Sequence, residues 1–460
     1  MSRINRRMFM HACAGTLAGL GLAGTFSPAD AWSCSLHPSK YPRVRFAVLP
    51  DLHFYDPELG TEGPAFEEKM MDEIKLFNLC EPLLERALTE IANSNVDFLL
   101  IPGDLTKDGE LSSHERLADH LDKLRQQGIQ VFVVPGNHDI SNPEACFYTP
   151  DGPLPTETVS PEEFEFIYRD FGYDSAIFRD NNSLSYVVEP VPGLWLLGID
   201  SCHYDDTPQT LYHAGSIQPG TLEWIKNIMD ESRQKDKAVI GFLHHAVLEN
   251  FNGHAQLLPD YIIENHDYVS RTLAGHGLQM VFTGHTHSQD IRGLRWDKSK
   301  LLLDIQTGAL VTHPNPYRVV SMRHGFMRIK SHFIKDLPGY FQPGEFSQIS
   351  RAFSEASAAR IIRKFGLRGS LKDLIVKTYL AHVQGDEQPS PETLEAIAAL
   401  KDSPWPWRRV IGQHISEVWN NPTPSDNDLF IYLPDNNNPL ADIINRSLKL
   451  LSDRSGRSVK

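Results

Sequence analysis

Cysteine is scarce: the chain has five in 460 residues, at positions 13, 34, 80, 146 and 202. None falls within the polar motifs described below, so their chemistry is not that of a thiolate-type structural zinc or iron–sulfur site. Cys34, Cys80, Cys146 and Cys202 permit disulfides in an exported protein, but their spacing assigns no pairing. Basic residues are in deficit, 44 Lys and Arg against 59 Asp and Glu, for a formal net charge of −15. Long nucleic acid is therefore excluded as a partner, because phosphate backbones are met by Lys and Arg. A single nucleotide held by metal ions is compatible with this charge. The uncharged stretch His11–Gly24 is short and only mildly apolar for a membrane-spanning helix.

The N-terminus reads as an export signal. Arg6-Arg7-Met8-Phe9-Met10 supplies a twin-arginine pair followed by apolar residues, then comes the Gly/Ala/Leu stretch, then Ala29-Asp30-Ala31 as a small-residue cleavage site. A signal peptide over 1–31 implies a periplasmic or secreted protein with no stable membrane insertion after cleavage. The twin-arginine pathway carries folded proteins, which suits an enzyme loaded with metal before export. Cys34 is a poor lipid attachment site, because Trp32 stands where a small residue is wanted.

With 41% hydrophobic and 22% charged residues, the composition is that of a globular protein, and 460 residues suit two domains. Apolar runs at Arg45–Pro50, Val96–Pro102, Val131–Pro135, Ala238–Leu243 and Leu278–Thr283 read as buried strands of an α/β protein. Helical spacing appears between them: Leu84, Ala87, Leu88 and Ile91 share one face, as do Leu117, Leu121 and Leu124. Later runs at Ile291–Trp296, Leu301–Gln306, Tyr317–Met322 and Gly325–Ile329 read as one antiparallel meander.

Each of the first five strands ends in polar residues: Asp51-Leu52-His53, Gly103-Asp104, Gly136-Asn137-His138-Asp139, His244-His245 and Gly284-His285-Thr286-His287. Loops at the carboxyl ends of strands are where α/β sheets bind ligands. Carboxylate, amide and imidazole together suit divalent Mn, Fe, Zn, Ni or Co. Two such ions about 3.5–4 Å apart can clamp the attacking and leaving oxygens of a displacement at phosphorus. Asp104 is the natural shared carboxylate, and a hydroxide between the ions is the expected nucleophile.

This ordered series resembles the calcineurin-like metallophosphoesterase superfamily over roughly residues 43–332. The resemblance implies an α/β fold, a four-layer αββα sandwich of two mixed sheets. It implies that Asp51, His53 and His287 hold one metal with Asp104, while Asn137, His244 and His285 hold the other, again sharing Asp104. His138 would face the substrate, stabilising phosphoryl oxygens or protonating the leaving group. Asp139 would orient His138 or its loop, His245 would sit beside His244, and His245, His203 and His213 are candidates for contact with substrate.

Past Ile334 the pattern changes. Residues 335–345 have the Pro/Gly density of a linker, so 43–334 is read as the catalytic domain and 346–460 as a smaller C-terminal helical domain. Trp405, Trp407 and Trp419 read as core in preference to a substrate groove. The Asp-Leu-His-Phe-Tyr-Asp-Pro opening and the helical extension are also similar to exported bacterial cyclic-nucleotide phosphodiesterases. The expected activity is metal-dependent hydrolysis of small phosphodiesters, 3',5'-cyclic nucleotides among them. The alternatives are a phosphomonoesterase acting on nucleotides or sugar phosphates, and a non-catalytic metal-binding scaffold. Oligomeric state is left open.

Overall fold

Strands β1 (Val44–Val48), β2 (Phe98–Pro102) and β3 (Gln130–Val134) are rich in Val, Phe, Leu and Ile and almost wholly buried, as strands covered on both faces must be. They run parallel, and β1 pairs antiparallel on its other side with the strand Pro316–Arg323. That strand hairpins to Phe326–Phe333, completing five strands of a six-stranded sheet. A second, seven-stranded sheet is centred on four parallel strands: Leu194–Gly198, Ala238–Phe242, Met280–Thr283 and Leu301–Gln306. The computed structural model describes residues 41–71, 73–204, 212–295, 301–323, 326–420 and 425–432. The leader read over 1–31, Cys34 and the tail from Asp453 lie outside these. Among the described residues no helix is long and apolar enough to cross a membrane, and Cys80, Cys146 and Cys202 are free thiols.

The two sheets pack through their inner faces, where Phe46 meets Phe98 at 4.9 Å and Phe282 at 5.3 Å between ring centroids. Apolar faces of the helices Cys80–Ala92 and Leu111–Arg125 extend this core with Leu83, Leu84, Leu117 and Leu121. The helices Pro219–Gln234 and His266–Gly275 form a second cluster against the other sheet, through Leu222, Ile225, Val269 and Leu273. Two mixed sheets with helices outside are thus present, as the resemblance implied.

The single meander expected over residues 291–329 is not formed. Asp290–Arg295 and Leu301–Gln306 make a hairpin in the seven-stranded sheet, whereas Pro316–Arg323 and Phe326–Phe333 make one in the six-stranded sheet. Leu301–Gln306 is buried throughout because it lies between two strands of its sheet, a place that local alternation does not reveal. The chain crosses between the layers through the fully buried Ala309, Leu310 and Val311.

The C-terminal region carries the helices Glu345–Lys364, Gly369–Gln384, Pro391–Lys401 and Pro406–Trp419. Leu371, Leu374, Ile397, Leu400, Ile411, Ile415 and Trp419 form its own small core. Trp419 is buried and donates Nε1–H to Thr378 Oγ1 at 2.8 Å, while Trp405 and Trp407 are exposed. The region is not helical to its end. Asp428–Tyr432 returns as the sixth strand of the first sheet, pairing antiparallel with Phe326–Phe333. Arg318, buried in the catalytic layers, donates to the Asp426 carbonyl, to Gln306 O at 2.6 Å and to Thr307 Oγ1 at 3.1 Å. The Asp426 carboxylate in turn accepts from the backbone of Ile291 at 3.0 Å and of Asp386 at 2.9 Å. The helical region is therefore stitched to the sheets from both sides.

Candidate metal centre

Five parallel strands, three in one sheet and two in the other, deliver their carboxyl ends to one place. There the backbone is unusual. Asp51 (φ 53), His53 (φ 41), Asp104 (φ 48), His285 (φ 66) and His287 (φ 54) all lie in the left-handed region. For residues with a Cβ this costs of order 1–2 kcal/mol each and marks positions held for function.

Glycines make the convergence sterically feasible. A Cβ on Gly136 would stand 2.0 Å from Asp104 N and 2.2 Å from its Oδ1; one on Gly284 would stand 2.2 Å from Asp51 Oδ2; one on Gly103 would stand 2.6 Å from His244 Nδ1. These close approaches are the physical reason for the Gly before Asp104, Asn137 and His285. Gly136→Ala is expected to lower stability by about 1–3 kcal/mol through overpacking, and to reduce bound metal by pushing Asp104 aside. Thermal unfolding with metal analysis checks this; native metal content in the variant would show that the loop can yield.

The potential ligand atoms fall into two groups. In the first, His53 Nε2 lies 3.1 Å from His287 Nε2 and 3.5 Å from Asp104 Oδ2, and His287 Nε2 lies 3.3 Å from Asp51 Oδ1. In the second, His244 Nε2 lies 3.1 Å from Asn137 Oδ1, 3.1 Å from His285 Nδ1 and 3.3 Å from Asp104 Oδ1. The two oxygens of Asp104 thus face different groups, so this carboxylate could be shared between two ions. Asp51 is also fixed from behind, both its oxygens accepting from the His285 N–H at 3.0 Å.

The chemistry of the donors fits two cations. His244 donates Nδ1–H to the Pro102 carbonyl at 3.0 Å, and His285 donates Nε2–H to the Asp260 carbonyl at 2.9 Å. Those bonds select the tautomers and turn a bare nitrogen of each ring toward the other. Two lone pairs at 3.1 Å need a proton or a metal ion between them. Burial opposes a charge on His244, but the Asp104 carboxylate overrides it and raises its pKa to about 9; a metal entering there displaces that proton. Burial holds His53, His285 and His287 below the ordinary histidine value, which favours the neutral form that can take a metal ion.

His138 stands beside both groups and lines the cavity in front of them. Its partner is not Asp139 but Asp108, whose Oδ1 lies 2.9 Å from His138 Nδ1. Burial alone would raise the Asp108 carboxyl; Lys107 and then His138 hold it well below the usual carboxylate range. Nε2 of His138 is left as the nitrogen for substrate. Asp139 instead accepts from the backbone of Gly136 (2.7 Å), Thr106 (2.9 Å) and Leu105 (3.1 Å) and from Thr106 Oγ1 (3.0 Å). It joins the loops that carry Asp104 and Asn137, so of the two roles expected of it, orienting His138 or its loop, the hydrogen bonds are those of the second.

Two other expectations are corrected. His245 lies close to His244 and His285, yet it is fully buried and both its nitrogens are engaged, with Ser201 Oγ at 2.8 Å and the His213 carbonyl at 3.0 Å. Its ring packs against His285 at 4.5 Å between centroids, so it supports a ligand and does not meet substrate. His203 is exposed and pairs with the ring of Tyr212. The neighbouring His213 lines the cavity instead, 3.5 Å from Asn137 Nδ2.

Sequence reasoning missed Asp108 and Lys75. Lys75 Nζ reaches into the cavity 3.4 Å from His53 Nδ1. The signal for Asp108 was its place four residues past Asp104 in the same loop; nothing local marks Lys75. The cavity, about 220 Å³, is closed on its far side by Phe251, Leu258 and Tyr261 from the insertion after Ala238–Phe242 and by Tyr379, His382 and Val383 from a C-terminal helix.

A family model described as calcineurin-like phosphoesterase matches residues 44–289. Two curated proteins named probable cyclic nucleotide phosphodiesterase, from Vesicomyosocius okutanii and Ruthia magnifica, are 37% and 39% identical to the chain over 59 residues. The match covers 13% of this chain and 24% of each relative, so the chain spans about a quarter of the length of the curated relatives it matches. Among solved structures, a dimetal phosphatase from Danio rerio is similar with a TM-score of 0.45 at 15% identity, over 64% of this chain and 97% of that one. A purple acid phosphatase from yellow lupin (Lupinus luteus) is similar with a TM-score of 0.39 at 11% identity, over 66% and 54%. The family match takes in more than half of the chain and every residue of both ligand groups, and the chain belongs to the calcineurin-like phosphoesterase family.

Proposed function

We propose that this protein is a metal-dependent phosphodiesterase acting on small diesters, 3',5'-cyclic nucleotides among them, outside the cytoplasmic membrane. The observation that carries the diester reading is the second wall of the cavity. A diester keeps one phosphate oxygen capped, so the site must receive a substituent beyond the metals. Here the space in front of Asp104, His285 and His287 runs on to Phe251, Leu258 and Tyr379. The names of the two curated relatives, over their short match, point the same way.

Divalent ions held by the two groups would supply electrophilic stabilisation of the phosphoryl oxygens and an activated water. The chain's own residues do the rest. Asp104 and the flanking imidazoles set where the phosphate sits. His138, with Nδ1 held by Asp108, presents Nε2 to protonate the departing oxygen. His213 and Lys75 add polar contacts around the phosphate. Export rests on the Arg6-Arg7 leader, and recovery of the protein in the periplasmic fraction only when that pair is intact is its test.

The experiment compares methyl 4-nitrophenyl phosphate with 4-nitrophenyl phosphate on the metal-loaded protein. The expected result is a kcat/KM at least about tenfold higher for the diester, a difference of about 1.4 kcal/mol in transition-state binding. One observation favours the monoester alternative: Lys75 would pair well with the second charge of a phosphate dianion. Preference for the monoester would replace the first reading with that one.

A further inference from the structure

His138 is held by Asp108, and Asp108 is itself held by a residue to which the metal chemistry gives no part. Lys107, 1% exposed, lies in the loop between Phe98–Pro102 and Leu111–Arg125. Its Nζ donates to Asp108 Oδ2, while the other oxygen of that carboxylate, Oδ1, lies 2.9 Å from His138 Nδ1. Glu110 completes the arrangement: its Oε1 accepts from Lys107 Nζ at 3.5 Å and its Oε2 from the Asp108 N–H at 3.1 Å. Three rings enclose the ammonium, with the centroids of Tyr55, Phe77 and Tyr148 at 5.2, 5.7 and 5.8 Å. They come from three separate stretches of chain, the last from the strand Cys146–Thr149. A buried lysine is rare, because losing water disfavours its charge unless carboxylates and aromatic faces take the water's place. Charge balance alone would be met by an ammonium on a mobile stem at the surface of the loop. Here the rings fix where Nζ stands, and so fix which oxygen of Asp108 it takes.

We propose that Lys107 is a positioning residue for the proton donor His138. By taking Oδ2 of Asp108 it leaves that carboxylate one orientation, in which Oδ1 receives His138 Nδ1–H and Nε2 is turned to the cavity. The terminal torsion of an aspartate is broad, so a carboxylate bonded only to the imidazole can swing and carry the ring with it. A second anchor removes that freedom, and a reacting group works only while its support holds it in register. Lys107 acts at one remove, through Asp108, so its loss should leave both ligand groups able to hold their ions. The inference rests on the proposed reaction for its effect on rate, but not for the orientation of the ring.

Lys107→Met puts an unbranched chain of similar length among the same rings and removes the ammonium. On the full-length, metal-loaded protein it is expected to lower kcat about tenfold on 3',5'-cyclic AMP, whose departing alkoxide needs a proton, and less than about threefold on methyl 4-nitrophenyl phosphate. KM and metal content should stay as in the wild type. In an Asp108→Asn background the same change should add nothing, because effects that run through one shared partner are not additive. That double variant also lacks the carboxylate that methionine would leave unpaired, so it carries the test if Lys107→Met fails to fold. A further fall in kcat from Asp108→Asn to the double variant overturns the inference. The orientation is read without turnover from the downfield proton resonance of His138 Nδ1–H, assigned by its absence in His138→Ala. It should shift or broaden in Lys107→Met. A resonance unchanged in that variant overturns the inference whatever the rates do. A resonance that is lost while both esters slow equally leaves Lys107 as the residue that orients His138, and sinks the proton-donor role instead.

Discussion

Asp104→Asn is expected to lower kcat/KM on a small diester by about a thousandfold or more and to strip the centre of metal. The two carboxylate oxygens face different ligand groups, Oδ2 toward His53 and Oδ1 toward His244. Asparagine replaces one of them with an amide nitrogen that carries no lone pair for a cation, and removes the negative charge shared by both sites. Metal-assisted charge stabilisation is worth several kcal/mol in such reactions, and each 1.4 kcal/mol is tenfold in rate. The substitution is nearly isosteric, and Oδ1 can still accept the His138 N–H seen at 3.0 Å, so the loop should keep its shape. Steady-state kinetics with metal analysis on the same preparation checks both halves. Turnover within tenfold of the wild type would mean that Asp104 does not bridge.

His138→Ala should behave differently. A positioned acid or base contributes about 10²–10⁴ in rate, so a loss of that size is expected with both ions retained. The ring lines the cavity, and its hydrogen bond goes to Asp108, which belongs to neither ligand group. Asp108→Asn should give a smaller loss, because the amide oxygen can still accept from Nδ1 while the charge that favours the imidazolium is gone. A leaving group of low pKa, such as nitrophenolate, needs little protonation. The defect in both variants should therefore be larger on an alkyl diester than on the nitrophenyl one. Loss of metal in His138→Ala would instead make it a ligand, and equal defects on both esters would remove its role as proton donor.

The two kinds of residue in this site differ in how they could be read. Asp51, His53, Asp104, Asn137, His244, His285 and His287 each follow a buried apolar run, and parallel strands bring such ends together whatever the intervening chain does. That is why the structure gathers all seven from five separate segments. Residues on insertions have no such rule. His203 and His213 lie on the same stretch between strands, and only packing decides that His213 faces the centre. His245 follows His244 directly and its ring lies against His244 and His285, but both its nitrogens are taken up by Ser201 and the His213 carbonyl, which nothing in the local sequence announces. Asp139 looks like a partner for His138 by adjacency, whereas the partner in space is Asp108 from a different loop.

The layered core was legible for the same reason and the C-terminal region less so. Its helices carry local signals, such as Ser390, whose side chain caps the N-terminus of Pro391–Lys401. The strand Asp428–Tyr432 has no meaning until Phe326–Phe333 is there to pair with it. Nor does any pattern within Gly369–Gln384 announce that Tyr379, His382 and Val383 face a cavity built by the other region.

The measurement that bears most directly on the whole account is the metal content of the purified full-length protein, followed through chelation and reloading. Two first-row divalent ions per chain are predicted, with diester hydrolysis lost on their removal and regained on their return. Hydrolysis that persists at one ion per chain or none would contradict a shared Asp104 and the two-metal centre built around it.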